Sequence, residues 1–357
     1  MSEISRRAMI LGAAAGVAAT VPLPIQGNVA HATASGASLD ATRLIDPQLI
    51  GPLEAMMELG GELPNADNLS LLRGRAATWE KRLPAPAPQP KQISIPARGG
   101  RPAVTAMLID PAPNQTGKPA LLHMHGGGFV LGSAAMNTAV LQECAQSCGC
   151  VIVSVNYRLA PETPFPGSLE DNYAALQWLH ANAMRLGVDP LRIGVGGESA
   201  GGGCAAVLAL FARDRAEIPI RFQLLIYPML DDRTGSTNFS PAHLGRWVWT
   251  EEANRFGWTS YLGVPAGSHR VPDRAVPARS DQLADLPPTF IGVGALDLFA
   301  LEDIEYAKRL VLAGVPCELH VVPRAYHGFD VLAPEAPISS AFRQTWHKAL
   351  RRALLES

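Results

Sequence analysis

Apolar positions along the chain follow two different rhythms. Between residues 40 and 82 they recur at helical spacing: Leu44, Ile45, Leu49, Leu53, Met56 and Met57, then Leu69, Leu71, Leu72 and Trp79. That spacing predicts two amphipathic helices, broken near Gly60-Gly61 and Pro64. The proline-rich stretch Leu83 to Pro90 has no capacity for a helix and reads as a stiff linker. Beyond it the rhythm changes. KQISIP and AVTAMLID, separated by Ala97–Arg101, predict a hairpin; ALLHMH, VIVSVNY, RIGVGG, FQLLIYP, TFIGVGA and ELHVV are short, apolar, β-branched runs. Helical stretches over 169–186, 200–213 and 302–312 separate most of these. Such alternation predicts an α/β fold with a mostly parallel sheet covered by helices on both faces.

One stretch breaks the alternation. From Asp231 to about Pro277 no strand is predicted, and Trp247, Trp249, Phe256, Trp258 and Tyr261 cluster within it. An aromatic-rich insertion beside a sheet edge reads as a lid or cap over a pocket. The chain thus divides into an N-terminal signal (1–32), a helical cap segment (33–82) and a catalytic body (83–357) with a cap insertion at about 231–277.

The signal rests on Arg6-Arg7 followed by an uncharged stretch from Ala8 to Val21, too short and too Gly/Ala-rich to span a bilayer stably. Ala30-His31-Ala32 offers a small-x-small cleavage site. The segment resembles a twin-arginine export signal, which implies an exported protein with no stable membrane span after processing. Composition adds exclusions. In 357 residues, 30 Lys+Arg against 32 Asp+Glu give a net charge of −2, without the clustered positive surface of a nucleic-acid binder. Five cysteines are too few for a disulfide scaffold. Cys144, Cys148 and Cys150 are close enough in sequence to suggest zinc, but no second His or carboxylate cluster matches them, so buried free thiols are expected.

The chemistry centres on Gly197-Glu198-Ser199-Ala200-Gly201, placed after an apolar strand and before a small-residue helix. A serine on that sharp turn projects its hydroxyl above the sheet, and glycines admit the crowded backbone. With 19 serines and 33 glycines, chance supplies roughly 0.16 matches to this pattern. His125-Gly126-Gly127-Gly128-Phe129 ends an earlier strand, where the amides of Gly126, Gly127 and Gly128 could join that of Ala200 around an oxyanion. His123 and His125 share a strand face without a third metal ligand nearby and are expected to be structural.

Ser199 needs a base and an orienting acid. His327 lies in the loop after the last predicted strand. His180 and His347 fall on helices expected at the surface, His320 inside a strand, and His243 and His269 in the insertion. Asp297 directly follows the strand TFIGVGA, with Asp231 and Asp232 as the alternative acid. Glu302 and Asp303 are expected to cap or solvate the next helix.

HGGGF, YRLAPETPFP, GESAGG, LDLF and HGF, in this order over residues 90–350, resemble the hormone-sensitive-lipase family of bacterial carboxylesterases. The resemblance implies an α/β-hydrolase fold and Ser199, Asp297 and His327 as the triad. It implies oxyanion amides from the HGGG glycines and Ala200, a cap built from the N-terminal helices and the aromatic insertion, and no cofactor or metal. It implies a small-molecule ester as substrate and a possible homodimer. Within YRLAPE, Arg158 and Glu162 are expected to fix a loop beneath the site. Glu198 departs from the family, which more often has Asp there. An amidase, an acyltransferase or a non-catalytic receptor on this scaffold remain the alternatives.

Overall fold

A computed structural model describes residues 41–58, 62–80, 87–97 and 99–355, with side chains 41 and 76–80 undescribed. Residues 1–40, on which the expected export signal falls, and the first half of the proline linker lie outside the described residues.

Eight strands among the described residues form one sheet in the order β1-β2-β4-β3-β5-β6-β7-β8. β1 (Lys91–Ile95) and β2 (Val104–Ile109) form the expected hairpin, and β2 also runs antiparallel to β4 (Val151–Val155). From β4 onward the sheet is parallel, through β3 (Lys118–Met124), β5 (Val188–Glu198), β6 (Phe222–Ile226), β7 (Thr289–Gly294) and β8 (Cys317–Val322). Every residue of β3, β4, β6 and β7 is buried. That explains why these strands read as unbroken apolar runs: helices cover both faces, so no alternation is needed.

The covering layers are α3 (Thr138–Cys148), α4 (Gly167–Ala181), α5 (Ala200–Arg215), α7 (Ala300–Leu312) and α9 (Pro337–Leu355). α6 (Glu251–Leu262) lies in the insertion and the four-residue α8 (Phe329–Leu332) follows β8. α1 (Pro47–Glu58) and α2 (Leu69–Glu80) are the two N-terminal helices the periodicity predicts. α1 buries Leu49 and Leu53 and is tied to the far end of the chain. The Tyr326 hydroxyl donates to Leu49 O at 2.9 Å and Arg324 to Ile45 O at 2.7 Å. Among the described residues no helix is long and apolar enough to cross a membrane.

Two local expectations need correction. His347 is buried on α9 and not at the surface, because α9 packs against α3, where the Cys148 thiol reaches the His347 carbonyl at 3.5 Å. Glu302 and Asp303 are buried too and do not solvate α7. Arg158 and Glu162 hold their segment through separate partners: Arg158 pairs with Asp171 at 2.8 Å, and Glu162 with Arg73 of α2 at 2.8 Å. The three clustered cysteines are free and buried, as expected.

Candidate active site

The parallel strands converge on one point above their carboxyl ends. β5 delivers Ser199 in a strained conformation, φ 56° and ψ −123°, which an L-residue adopts only when its surroundings compel it. The surroundings here are backbone. The Ser199 N–H donates to Ile226 O at 2.9 Å, and the Met229 N–H donates to Ser199 O at 3.0 Å, so the end of β6 and the loop after it grip both sides of the residue. α5 starts at once and passes so near β3 that a Cβ at Gly201 would lie 2.0 Å from Met124 O. No larger residue fits that crossing.

β7 and the loop after β8 bring the other two groups. Ser199 Oγ lies 3.0 Å from His327 Nε2, and His327 Nδ1 lies 2.8 Å from Asp297 Oδ2. All three side chains are buried. The second Asp297 oxygen accepts the Phe299 N–H at 3.0 Å, which fixes the carboxylate plane. The alternative acids turn elsewhere: Asp231 pairs with Arg233 at 2.8 Å and Asp232 with Arg279 at 2.7 Å.

The loop after β3 faces Ser199. Among the described residues, no carbonyl or side chain accepts from the amides of Gly127 or Gly128. The Ala200 amide opens α5, where N–H groups have no intrahelical partner. These are the donors the sequence nominates, left free. The Gly126 amide has no acceptor among the described residues either, and the Gly126 carbonyl accepts from His125 Nδ1 at 2.8 Å. Burial holds the His125 imidazole down at about 4, so it is neutral, and it stacks on Tyr157 at 4.2 Å.

Beneath the serine lies a second network. Glu198 Oε2 is 2.8 Å from His123 Nε2 and accepts from Asn137 Nδ2 at 3.1 Å. The Ser154 hydroxyl, 2.9 Å from His123 Nδ1, completes it; in the tautomer these partners select, Nε2 carries the proton. Burial alone would push the Glu198 carboxyl up. The facing His123 and the two hydrogen bonds outweigh that and hold it below the usual carboxylate range. His123 is therefore structural, and the glutamate's extra methylene is accommodated by this network.

Several neighbours carried no sequence signal of their own. Tyr227 and Phe299 stand edge-on to the His327 ring at 4.8 and 5.1 Å and confine it. The Tyr227 hydroxyl donates to Asp330 Oδ1 at 3.0 Å, and burial still pushes the Asp330 carboxyl up to about 6. Glu302 Oε1 accepts the N–H groups of Leu230, at 2.7 Å, and Asp231. Asp303 has no hydrogen-bond partner among the described residues, and burial pushes its carboxyl well above the usual range, with Glu302 and Asp297 adding to the shift. No group of three or more His, Cys, Asp and Glu among the described residues is placed to hold a metal.

Fold and site together define an α/β-hydrolase with a buried serine, histidine and aspartate in line. The family described as alpha/beta hydrolase fold matches residues 121–331. Esterase LipI of Mycobacterium tuberculosis is 34% identical over 317 residues, covering 88% of this chain and 97% of that protein. Carboxylesterase NlhH of Mycobacterium tuberculosis is 36% identical over 237 residues, 66% of this chain and 74% of that protein. Among solved structures, a bacterial heroin esterase is 37% identical with a TM-score of 0.78, covering 88% of this chain and 99% of that one. The chain belongs to the hormone-sensitive-lipase-like bacterial carboxylesterases of the α/β-hydrolase superfamily.

Proposed function

We propose that this protein is a serine carboxylesterase that hydrolyses short- to medium-chain carboxylic esters through an acyl-enzyme. The observation that carries the reading is the unbroken line from Ser199 Oγ to His327 at 3.0 Å and from His327 to Asp297 at 2.8 Å. His327 Nε2 takes the Ser199 proton as Oγ attacks the ester carbonyl. Asp297 holds the imidazole in the required tautomer and stabilises its charged form. The developing oxyanion is received by the free amides of the HGGG loop and of Ala200. Each such donor is typically worth ~3 kcal/mol in the transition state. His327 then protonates the leaving alcohol, and water repeats the sequence to free the acid and Ser199.

Esterase LipI and carboxylesterase NlhH are named for ester hydrolysis, which supports esters over amides as substrate. The test is a rate profile on 4-nitrophenyl esters of increasing acyl length, run beside a 4-nitroanilide and with Ser199→Ala as control. Rates should peak at short to medium acyl chains, and the variant should fall to background, a loss of about 10⁶-fold. An active Ser199→Ala sinks the serine mechanism. An anilide cleaved as fast as the matching ester replaces the esterase reading with an amidase. We also propose that residues 1–32 direct export; Arg6→Lys with Arg7→Lys should retain the protein inside the cell on fractionation, and unchanged export overturns this.

A further inference from the structure

The insertion's aromatic residues turn inward. Trp249, Trp258 and Tyr261 are buried, and one face of α6 is given over to the loop that carries the candidate oxyanion amides. Asn254, Gly257, Trp258 and Tyr261 fall at i, i+3, i+4 and i+7, a single stripe of the helix. Phe129, the residue after the triple glycine, stacks on Tyr261 at 4.2 Å and tilts against Trp258 at 4.9 Å. Two contacts reach the glycines themselves. The Trp249 indole occupies the space a side chain at Gly128 would need: a Cβ there would lie 2.1 Å from the ring. α6 also approaches the Gly128 carbonyl so closely that a Cβ at Gly257 would lie 2.7 Å from that oxygen. The indole is itself tethered, donating from Nε1 to Asn254 Oδ1 at 3.2 Å, while Asn254 donates to Thr234 O at 2.8 Å.

We propose that Trp249 and Gly257 are positioning residues for the reaction: together they fix the peptide planes on either side of Gly128, and so the direction in which the Gly128 amide points. The inference rests on the serine-esterase reading above. A glycine at φ +60° rotates freely in open chain. Here the ring blocks one side of Gly128 and the α6 backbone abuts its carbonyl. Preorganised donors stabilise an oxyanion because they need not reorient at the moment of reaction. A clamp that removes a glycine's freedom acts on the transition state while leaving ground-state binding nearly untouched.

The decisive variant is Gly257→Ala. Alanine raises helix propensity, so α6 should hold while the new methyl pushes the Gly128 carbonyl away. The expected result is a 10- to 100-fold fall in kcat with KM changed less than about threefold, within the range for a misdirected oxyanion donor. An aryl trifluoromethyl ketone, which the serine converts to a tetrahedral anionic adduct, should lose affinity by the same factor. The matching secondary alcohol, which forms no adduct, should bind as before. Trp249→Phe keeps a ring but loses the indole's second ring and its tether; it should lower kcat by 3- to 10-fold, with ketone affinity following. It also carries the test should Gly257→Ala fail to fold by near-ultraviolet circular dichroism. Folded variants with unchanged kcat and ketone affinity, or a loss confined to KM, overturn the positioning role. If Ser199→Ala stays active, the underlying mechanism fails first and the positioning role with it; if Ser199→Ala is inactive and the clamp variants keep wild-type kcat and ketone affinity, the positioning role alone falls.

Discussion

The two halves of the site are held by different means. On the Ser199 side, main chain meets main chain: β6 and the loop after it bond to the serine's N–H and C=O, and α5 crosses β3 where only glycine fits. On the His327 side, side chains carry the geometry. Asp297, Tyr227 and Phe299 surround one imidazole, with the buried carboxyls of Asp330, Glu302 and Asp303 among the supporting elements. A backbone-built half has little tolerance, because a misplaced Cβ has nowhere to go. A half built from side chains is graded, since each group can be weakened alone.

That contrast can be attacked at four positions. Asp297→Asn should give the largest effect. It leaves the fold intact but lets His327 take the wrong tautomer, lowering kcat by about 10⁴-fold; a fall below tenfold in steady-state assays would remove Asp297 from the mechanism. Gly201→Ala should cost about 10²- to 10³-fold in kcat, because shifting the elbow misplaces both Ser199 and the Ala200 donor. Its melting temperature should fall with the activity. A variant as stable and active as wild type would show that the crossing at Met124 can relax.

Asp303→Asn should act on stability alone. The wild-type carboxyl has a folded pKa raised above its unfolded value near 4, so the folded state binds the extra proton between those values. Stability therefore falls as pH rises through that window, by up to about 1.4 kcal/mol per pH unit. Asparagine does not titrate. Urea unfolding should show the two proteins alike near pH 4 and the variant increasingly the more stable toward pH 7; parallel pH dependences would place Asp303 in a better-solvated setting. Tyr227→Phe should matter least. It removes the hydroxyl that Asp330 accepts but keeps the ring edge on His327, so kcat should change less than about threefold. A larger loss would mean that the Tyr227–Asp330 bond orients the imidazole.

The same contrast decides what could be read in the sequence. A backbone-built site leaves glycines at fixed offsets from a serine or histidine, and those strings are contiguous: GESAG, HGGGF and HGF. Their strand and helix settings follow from local periodicity, so the element order and the placement of Ser199, His327 and Asp297 were legible. Side-chain partners were not. Arg73 reaches Glu162 across 89 residues and Tyr227 reaches Asp330 across 103, and periodicity carries no information at that range. Arg158 and Glu162 share a short segment, which suggested a shared role; in the fold they point to different helices. The insertion's aromatics read as a lid or cap, but an apolar stripe on a helix does not reveal which surface it meets, so their packing on Phe129 and Gly128 was not legible. Glu302 and Asp303 resemble ordinary first-turn acids, and only the closure of α7 over the sheet buries them.

The bonds from Tyr326 to Leu49 and from Arg324 to Ile45 also bear on how the molecule is made. They join positions 277 and 279 residues apart. Synthesis runs from the N-terminus, so α1 emerges long before the loop it must grip, and its docking waits until that distant loop has left the ribosome. The strand that delivers Ser199 can assemble early, while His327 arrives with the same late segment that anchors α1. The contact between Ser199 and His327 therefore cannot close before the segment that anchors α1 has emerged.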